Sequence, residues 1–254
     1  MSDSKRVALV TGSATGIGRT TAVELAKHGF DVTINYSRSA SDAQQAVHEC
    51  EAAGAKALLA QCDVSDDAQV RRLLAEVEKT FGRLDALVNV AGTTVTAAQE
   101  DLEAISAEDF DRIFAVNVKG TFLVTRAAAP LLKRTGNAAV VNLASIVGPR
   151  PGAQPIPYAA SKAAVVNMTR TFSRVLAPEV RVNAVAPGWI AGAWMEKTLG
   201  EHYDRLMERR AKATPMGRVA TFEDIAEVIL NLIEHNKFVT GETIVIDGGF
   251  SATT

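Results

Sequence analysis

Tyr158 and Lys162 stand four residues apart in IPYAASKAAV (residues 156–165), a spacing that brings both side chains to one face of a helix. A phenol beside an ammonium is a candidate for moving protons. An ordinary tyrosine ionises near pH ~10, so proton exchange near neutrality needs a shift of about 3 units, or about 4 kcal/mol of preference for the phenolate. A neighbouring cation contributes to that preference where water is excluded. The same residues also fit a plain helix with one aromatic on its buried face, and the local sequence does not separate the two readings. Ser145, in NLASIVG, follows an apolar run and so stands at the carboxyl end of a strand, where open α/β sheets bind ligands. Asn117, in FAVNVKGTF, lies in a long helical stretch, where an asparagine also serves to satisfy backbone at a kink.

A second constellation comes earlier. TGSATGIG (residues 11–18) closes the first apolar run and opens a helical pattern. Gly12 permits a tight turn, Gly16 lets backbone approach a pyrophosphate, and Gly18 lets the helix pack close to the sheet. Thr15 and Ile17 complete the turn, and the N–H groups of the helix start can hold an anion. The alternative is a simple glycine turn. A site for NAD(H) normally offers a carboxylate about 20 residues beyond the glycines. Here INYSRS puts Asn35, Ser37 and Arg38 at that place, with no acid between Asp31 and Asp42. Arg38 suits a ribose 2′-phosphate through charge-assisted hydrogen bonds, which predicts NADP(H) in preference to NAD(H). The competing reading is a solvated arginine in a turn. Asp63, beside Val64 in CDV, either bonds an adenine amino group or caps the next helix.

These residues need a frame, and the pattern supplies one. Short apolar runs alternate with helical segments along the whole chain. Most of the runs are continuous, as in strands covered on both faces. This predicts a Rossmann-like, doubly wound, mostly parallel seven-stranded sheet with helices on both faces, in a single domain over residues 1–254. Ser41 and Thr221 are expected as helix N-caps, and 106–134 as one helical region. The stretch 188–215 reads as irregular, the length of a lid or binding loop. Its Trp189, Trp194, Met195, Tyr203 and Met207 could wall an apolar substrate, pack a lid on the core, or meet another subunit.

A formal net charge of −2 gives no electrostatic footprint for nucleic acid or a membrane surface. Cys50 and Cys62 are isolated and the four histidines are scattered, so no metal site is indicated. No apolar run nears the ~20 residues of a membrane span. With no signal-like N-terminus, a cytoplasmic setting is expected.

Taken in order, TGSATGIG, CDV, NVAG (residues 89–92), Asn117, Ser145, YAASK, NAVAPG (residues 183–188) and TGETIVIDGG resemble the short-chain dehydrogenase/reductase family over essentially the whole chain. The likeness is to its single-domain branch, which includes the 3-oxoacyl-carrier-protein reductases. The resemblance implies Tyr158 as general acid/base, Lys162 lowering its pKa and bonding the nicotinamide ribose, Ser145 holding the substrate oxygen, and Asn117 placing a relay water. It implies Asn89, Ala91 and Gly92 along the cofactor, with Pro187, Gly188 and Ile190 at the nicotinamide end. It also implies interconversion of a ketone and a secondary alcohol, and a homotetramer built on the long helices and the last strand. Three departures stand out. Val90 replaces a usual asparagine, Gly192 replaces a threonine that binds the carboxamide, and LAPEVRVN is shorter than the common pattern. The first two leave room for a catalytically weak NADP(H)-binding sensor. An acyl carrier protein would want basic residues at the site mouth. Lys133 and Arg134 are the candidates, with Glu179 counting against them.

Overall fold

The computed structural model describes residues 5–96, 101–152, 154–192, 196 and 200–252. Its first strand, β1 (Arg6–Thr11), explains the layering. Successive side chains of a strand point to opposite faces. Ala8 and Val10 therefore join one apolar cluster and Val7 and Leu9 another, all of them buried. A strand apolar on both faces must be covered on both.

Six more strands follow: β2 (Phe30–Tyr36), β3 (Ala57–Gln61), β4 (Ala86–Asn89), β5 (Ala138–Leu143), β6 (Val180–Pro187) and β7 (Thr243–Ile246). They form one sheet in the order β3-β2-β1-β4-β5-β6-β7, and every pairing is parallel. The order reverses between β1 and β4. At such a point the connections leave in opposite directions and open a crevice at the carboxyl ends.

One face carries α1 (Gly16–Lys27), α2 (Ala40–Ala52) and a late helix (Phe222–Glu234), through Leu25, Ala46, Ile225 and Ile229. The other carries α3 (Asp67–Phe81) and α5 (Thr121–Thr135), through Val77, Val124 and Leu132. On that same side α6 (Ile156–Leu176) packs Val165 and Val166 against Ala184 and Ala186 of β6. Leu87 of β4 is fully buried between these layers, so Leu87→Ala should cost about 2–5 kcal/mol.

Local rules set the helix ends. Asp66 caps α3 by accepting from Ala68 N–H and Gln69 N–H, and Gly82 closes it in the left-handed region. Thr221 and Asp224 form a reciprocal capping box on the late helix. Three expectations change. Ser41 is not an N-cap, because Ala43 N–H already donates to Ser39 O and α2 begins at Ala40. The region 106–134 is not one uniform helix. It runs as α4 (Ala107–Phe114), a π-helical turn (Ala115–Gly120) and α5, and the wide turn carries Asn117. The stretch 188–215 is not irregular throughout, since it contains α7 (Tyr203–Ala213). That helix buries only Met207 and is charged at most other positions, although Tyr203, Leu206, Met207 and Ala211 do recur at helical spacing. The late helix is α8.

Candidate active site

The crevice is a cavity of about 810 Å3 running from the β1–α1 turn to the loop after β6. At its first end the glycines are set by close approach. A side chain at Gly18 would come within 2.4 Å of the Gly12 carbonyl oxygen, so only glycine lets α1 start against the turn. Thr15 is the α1 N-cap and its side chain makes no capping bond. The first N–H groups of the helix are thus free of a side-chain acceptor beside the cavity, at the positive end of the helix. Gly12, Thr15, Gly16 and Ile17 line it.

Some residues expected in the wall stand behind it. Asn35 is buried. It accepts from Gly12 N–H at 3.2 Å and donates to Cys62 O at 3.1 Å, so it ties the turn to β2 and β3. Ser37 and Arg38 do line the cavity and are exposed. Asp63 accepts from the Ser65 N–H and hydroxyl, and the cap of α3 is Asp66, so the capping alternative for Asp63 is excluded. Val64 supports the π turn from below, since a side chain at Gly120 would meet its Cγ2 at 2.7 Å. Asn89 is buried and donates to Thr125 Oγ1 and Asn142 Oδ1. Ala91 and Gly92 line the cavity together with Val90. Thr11 Oγ1 accepts from the N–H groups of both Val90 and Ala91, at 3.0 and 3.1 Å. The segment is therefore held without an amide side chain at position 90.

Midway along, Ser145, Tyr158 and Lys162 meet. The Ser145 hydroxyl stands close enough to the Tyr158 phenol to lower its pKa. Lys162 is buried, donates to Leu143 O at 2.6 Å, and holds its Nζ 5.6 Å from the Tyr158 ring centroid. Burial pushes the Tyr158 phenol up to about 12, against the lowering effect of Ser145. Burial brings the Lys162 ammonium down to about 8. Desolvation of the ring outweighs the Ser145 effect here, and the expected lowering rests on Lys162 together with a cationic nicotinamide ring. Asn117 lies behind Lys162. Its side chain accepts from Thr93 N–H and donates to Thr93 O and Ser161 Oγ, and its carbonyl accepts from the Thr121 hydroxyl. It knits the loop after β4 to α6.

The far end contains Pro187, Gly188, Trp189 and Ile190. A parallel bridge between Ile190 and Ala220 pins this loop to the start of α8, two residues before Phe222. That contact explains Gly192. Its φ is +157°, and a Cβ there would sit 2.4 Å from the Phe222 ring. A threonine here would require the Phe222 ring to move. The Gly192 N–H donates instead to the Tyr203 hydroxyl at 3.2 Å, so a hydroxyl reaches this backbone from α7. Met207 is buried on α7, and Trp194 and Met195 lie outside the described residues. Phe222, Arg150 and Arg210 also line the cavity. No spacing in the sequence marks them, because each arrives from a different distant segment.

These features have close counterparts. A family profile described as Enoyl-(Acyl carrier protein) reductase matches residues 12–251. A Streptomyces violaceoruber protein described as ketoacyl reductase 2 of the granaticin polyketide synthase is 41% identical over 243 residues, 96% of this chain and 95% of that one. A 3-oxoacyl-[acyl-carrier-protein] reductase of Staphylococcus aureus is 36% identical over 244 residues, 95% of this chain and 96% of that one. The solved structure of a gluconate 5-dehydrogenase from Burkholderia cenocepacia, in complex with NADP and tartrate, superposes with a TM-score of 0.88. It is 30% identical and the match covers 98% of this chain and 96% of that one. With the all-parallel 3-2-1-4-5-6-7 sheet and a serine, tyrosine and lysine converging at its carboxyl edge, the chain belongs to the short-chain dehydrogenase/reductase family, oxidoreductases acting on CH–OH and C=O groups.

Proposed function

We propose that this chain is an NADP(H)-dependent reductase that interconverts a ketone and a secondary alcohol. The observation that carries the reading is the meeting of Ser145 and Tyr158 with buried Lys162 in one cavity that also holds a helix-start phosphate cradle. The cradle fits a dinucleotide, since the glycine turn admits backbone to a pyrophosphate and Arg38 offers its guanidinium past β2. A bound nicotinamide supplies or accepts the hydride.

The remaining steps belong to the protein. Two hydroxyls side by side give two donors to one carbonyl oxygen. Ser145 donates and fixes it, and Tyr158 donates and then transfers its proton as charge grows on that oxygen. A phenol held near 12 stays protonated at neutrality, the state that reduction requires. Lys162 keeps a positive charge beside the phenolate left behind. Asn117 holds the Thr93 loop against α6, and placing a relay water behind Lys162 is its proposed second role. Reduction of C=O rather than the C=C reduction in the family description is supported by the relatives matched over most of the chain, which are described as ketoacyl and 3-oxoacyl reductases.

A 3-oxoacyl group on acyl carrier protein is a narrower candidate, suggested by the Staphylococcus aureus relative that reduces it. The basic residues considered for the carrier do not support it. Lys133 and Arg134 end α5 just before β5 starts, at the amino edge of the sheet, and they face Glu179 and Glu78. A homotetramer is supported by exposed Phe122 and Val175 on α5 and α6 and by exposed Val245 on the edge strand β7. Among the described residues no helix is long and apolar enough to cross a membrane.

Oxidation of NADPH and NADH should be followed over a panel of ketones, oxoacids and 3-oxoacyl thioesters. Turnover with NADPH, at least about tenfold faster than with NADH, is expected. Equal rates would reject the cofactor preference, and tight NADPH binding with no substrate turned over would favour the sensor reading.

A further inference from the structure

The cavity is more cationic than its cofactor requires. Arg38, Arg150, Lys162 and Arg210 line it, and among its described lining residues there is no Asp or Glu. The chain as a whole carries a formal net charge of −2. Lys162 is committed to Leu143 O and Tyr158, and Arg38 stands at the ribose end. Arg150 and Arg210 are left over.

Both flank the same short turn at the end of the chain (Phe250–Ala252). Arg150 donates to Ser251 O, and the Arg210 guanidinium carbon lies 5.7 Å from the Phe250 ring centroid and 4.4 Å from that of Trp189. Several other arginines meet acids of the same chain, as Arg83 meets Asp85 and Arg218 meets Asp224. Arg181, buried in the core, donates to the carbonyls of Leu232, Ile233 and Asn236. Arg210 has neither kind of partner among the described residues, and its Nε is buried with no acceptor. A buried N–H left unmet costs about 1–3 kcal/mol. Aromatic faces attract a cation but take none of its in-plane N–H bonds. What matches that edge is a planar anion that accepts two parallel bonds. Burial, and then Arg209, also lower the pKa of Arg210, so the fold holds this charge at a cost that an anion would offset.

We propose that Arg210, with Arg150 beside it, binds a carboxylate on the substrate, so that the ketone presented to Ser145 and Tyr158 belongs to an oxoacid. The proposal rests on the reductase reading above and narrows its substrate class. A carrier-bound thioester is the less favoured occupant, because it offers no carboxylate to the half-buried Arg210 guanidinium in the cavity wall.

The test uses the intact protein with NADPH and three probes, 3-oxobutanoate, 4-oxopentanoate and 5-oxohexanoate, each beside its methyl ester. The wild type should prefer at least one acid to its ester. In Arg210→Gln the acid-to-ester ratio of kcat/KM should fall by about 10–100-fold, the loss of a charge-assisted bidentate contact. Arg210→Lys, which keeps the charge but not the fork, should lie between. NADPH affinity measured on each variant separates this loss from misfolding. No acid preferred over its ester, or an equal fall for both, overturns the proposal, as does a preference for 3-oxoacyl pantetheine thioesters over every free acid. If no probe is reduced, calorimetry of the same acids on the NADP+-loaded protein decides. Binding that Arg210→Gln abolishes keeps the anion site while the reductase reading fails. Binding that is absent, or unchanged in the variant, rejects the site as well.

Discussion

The two ends of the cavity are built differently. The phosphate end is made of backbone held by buried polar ties: Asn35 to Gly12, Thr11 to Val90 and Ala91, and Ser13 Oγ to Asn35 N–H. Its groups lie close together at adjoining strand ends. The substrate end is made of side chains from the loop after β5, the loop after β6, α7, the start of α8 and the final turn. It is held by loop backbone bonds such as Ile146 N–H to Pro187 O and Ala191 N–H to Ala220 O, by the Tyr203 hydroxyl, by Arg150 on Ser251 O and by aromatic contacts. Dinucleotide binding needs a fixed backbone, and one short segment can encode it. Substrate choice needs side chains that can be exchanged without unsettling that backbone, and distant segments supply them.

Changes at the shared centre should be the most severe. Lys162→Met should lower kcat for ketone reduction by about 10²–10³-fold, the scale for removing one preorganised charge. The same variant should alter the pH dependence of stability. Burial holds the folded pKa of Lys162 near 8 against an ordinary 10.5, so between those values the unfolded chain binds more protons and stability rises with pH. Tyr158 acts in the opposite sense, because its folded pKa near 12 exceeds the ordinary 10, and stability falls as pH rises through that window. Denaturant titrations from pH ~7.5 to ~10 should show the rising limb in the wild type and its loss in Lys162→Met.

The substrate end can be broken by one methyl-bearing side chain. Gly192→Thr should weaken NADPH binding by about 2 kcal/mol, the usual scale of overpacking against Phe222. Adding Phe222→Ala should recover most of that loss in fluorescence titrations. Additive losses would mean that the ring and the glycine are not coupled. At the phosphate end, Arg38→Ala should reduce NADPH affinity by about tenfold and leave NADH affinity within a factor of about two, the modest effect of an exposed charge-assisted bond. Away from the cavity, joint replacement of Lys133 and Arg134 by alanine should change kcat/KM by less than about twofold for any substrate, carrier-bound ones included.

The same contrast explains what was legible in the sequence. The glycine turn, the strand ends and the i, i+4 pair are local patterns fixed by backbone geometry, so they could be read before the fold was known. Asn35 illustrates the limit. Its position in the sequence was right for the ribose, but only pairing with β3 shows its amide turned toward Cys62 and Gly12. Gly192 looked like a lost function, and its cause, the Phe222 ring, lies thirty positions away. Helix α7 has apolar residues at helical spacing (Tyr203, Leu206, Met207, Ala211), but its high charge and the surrounding Gly, Trp and Pro made the stretch read as a loop. Arg210 did not stand out, as one charge among several on that helix.

The central claim is that Tyr158 supplies the proton while the rest of the cavity binds. Tyr158→Phe removes one oxygen and keeps the ring, so NADPH affinity should stay within a factor of about two. Single-turnover reduction of the best ketone should fall by at least about 10³-fold, the upper range for losing a general acid and an oxyanion donor together. Reduction at the wild-type rate in the presence of bound NADPH would contradict the account.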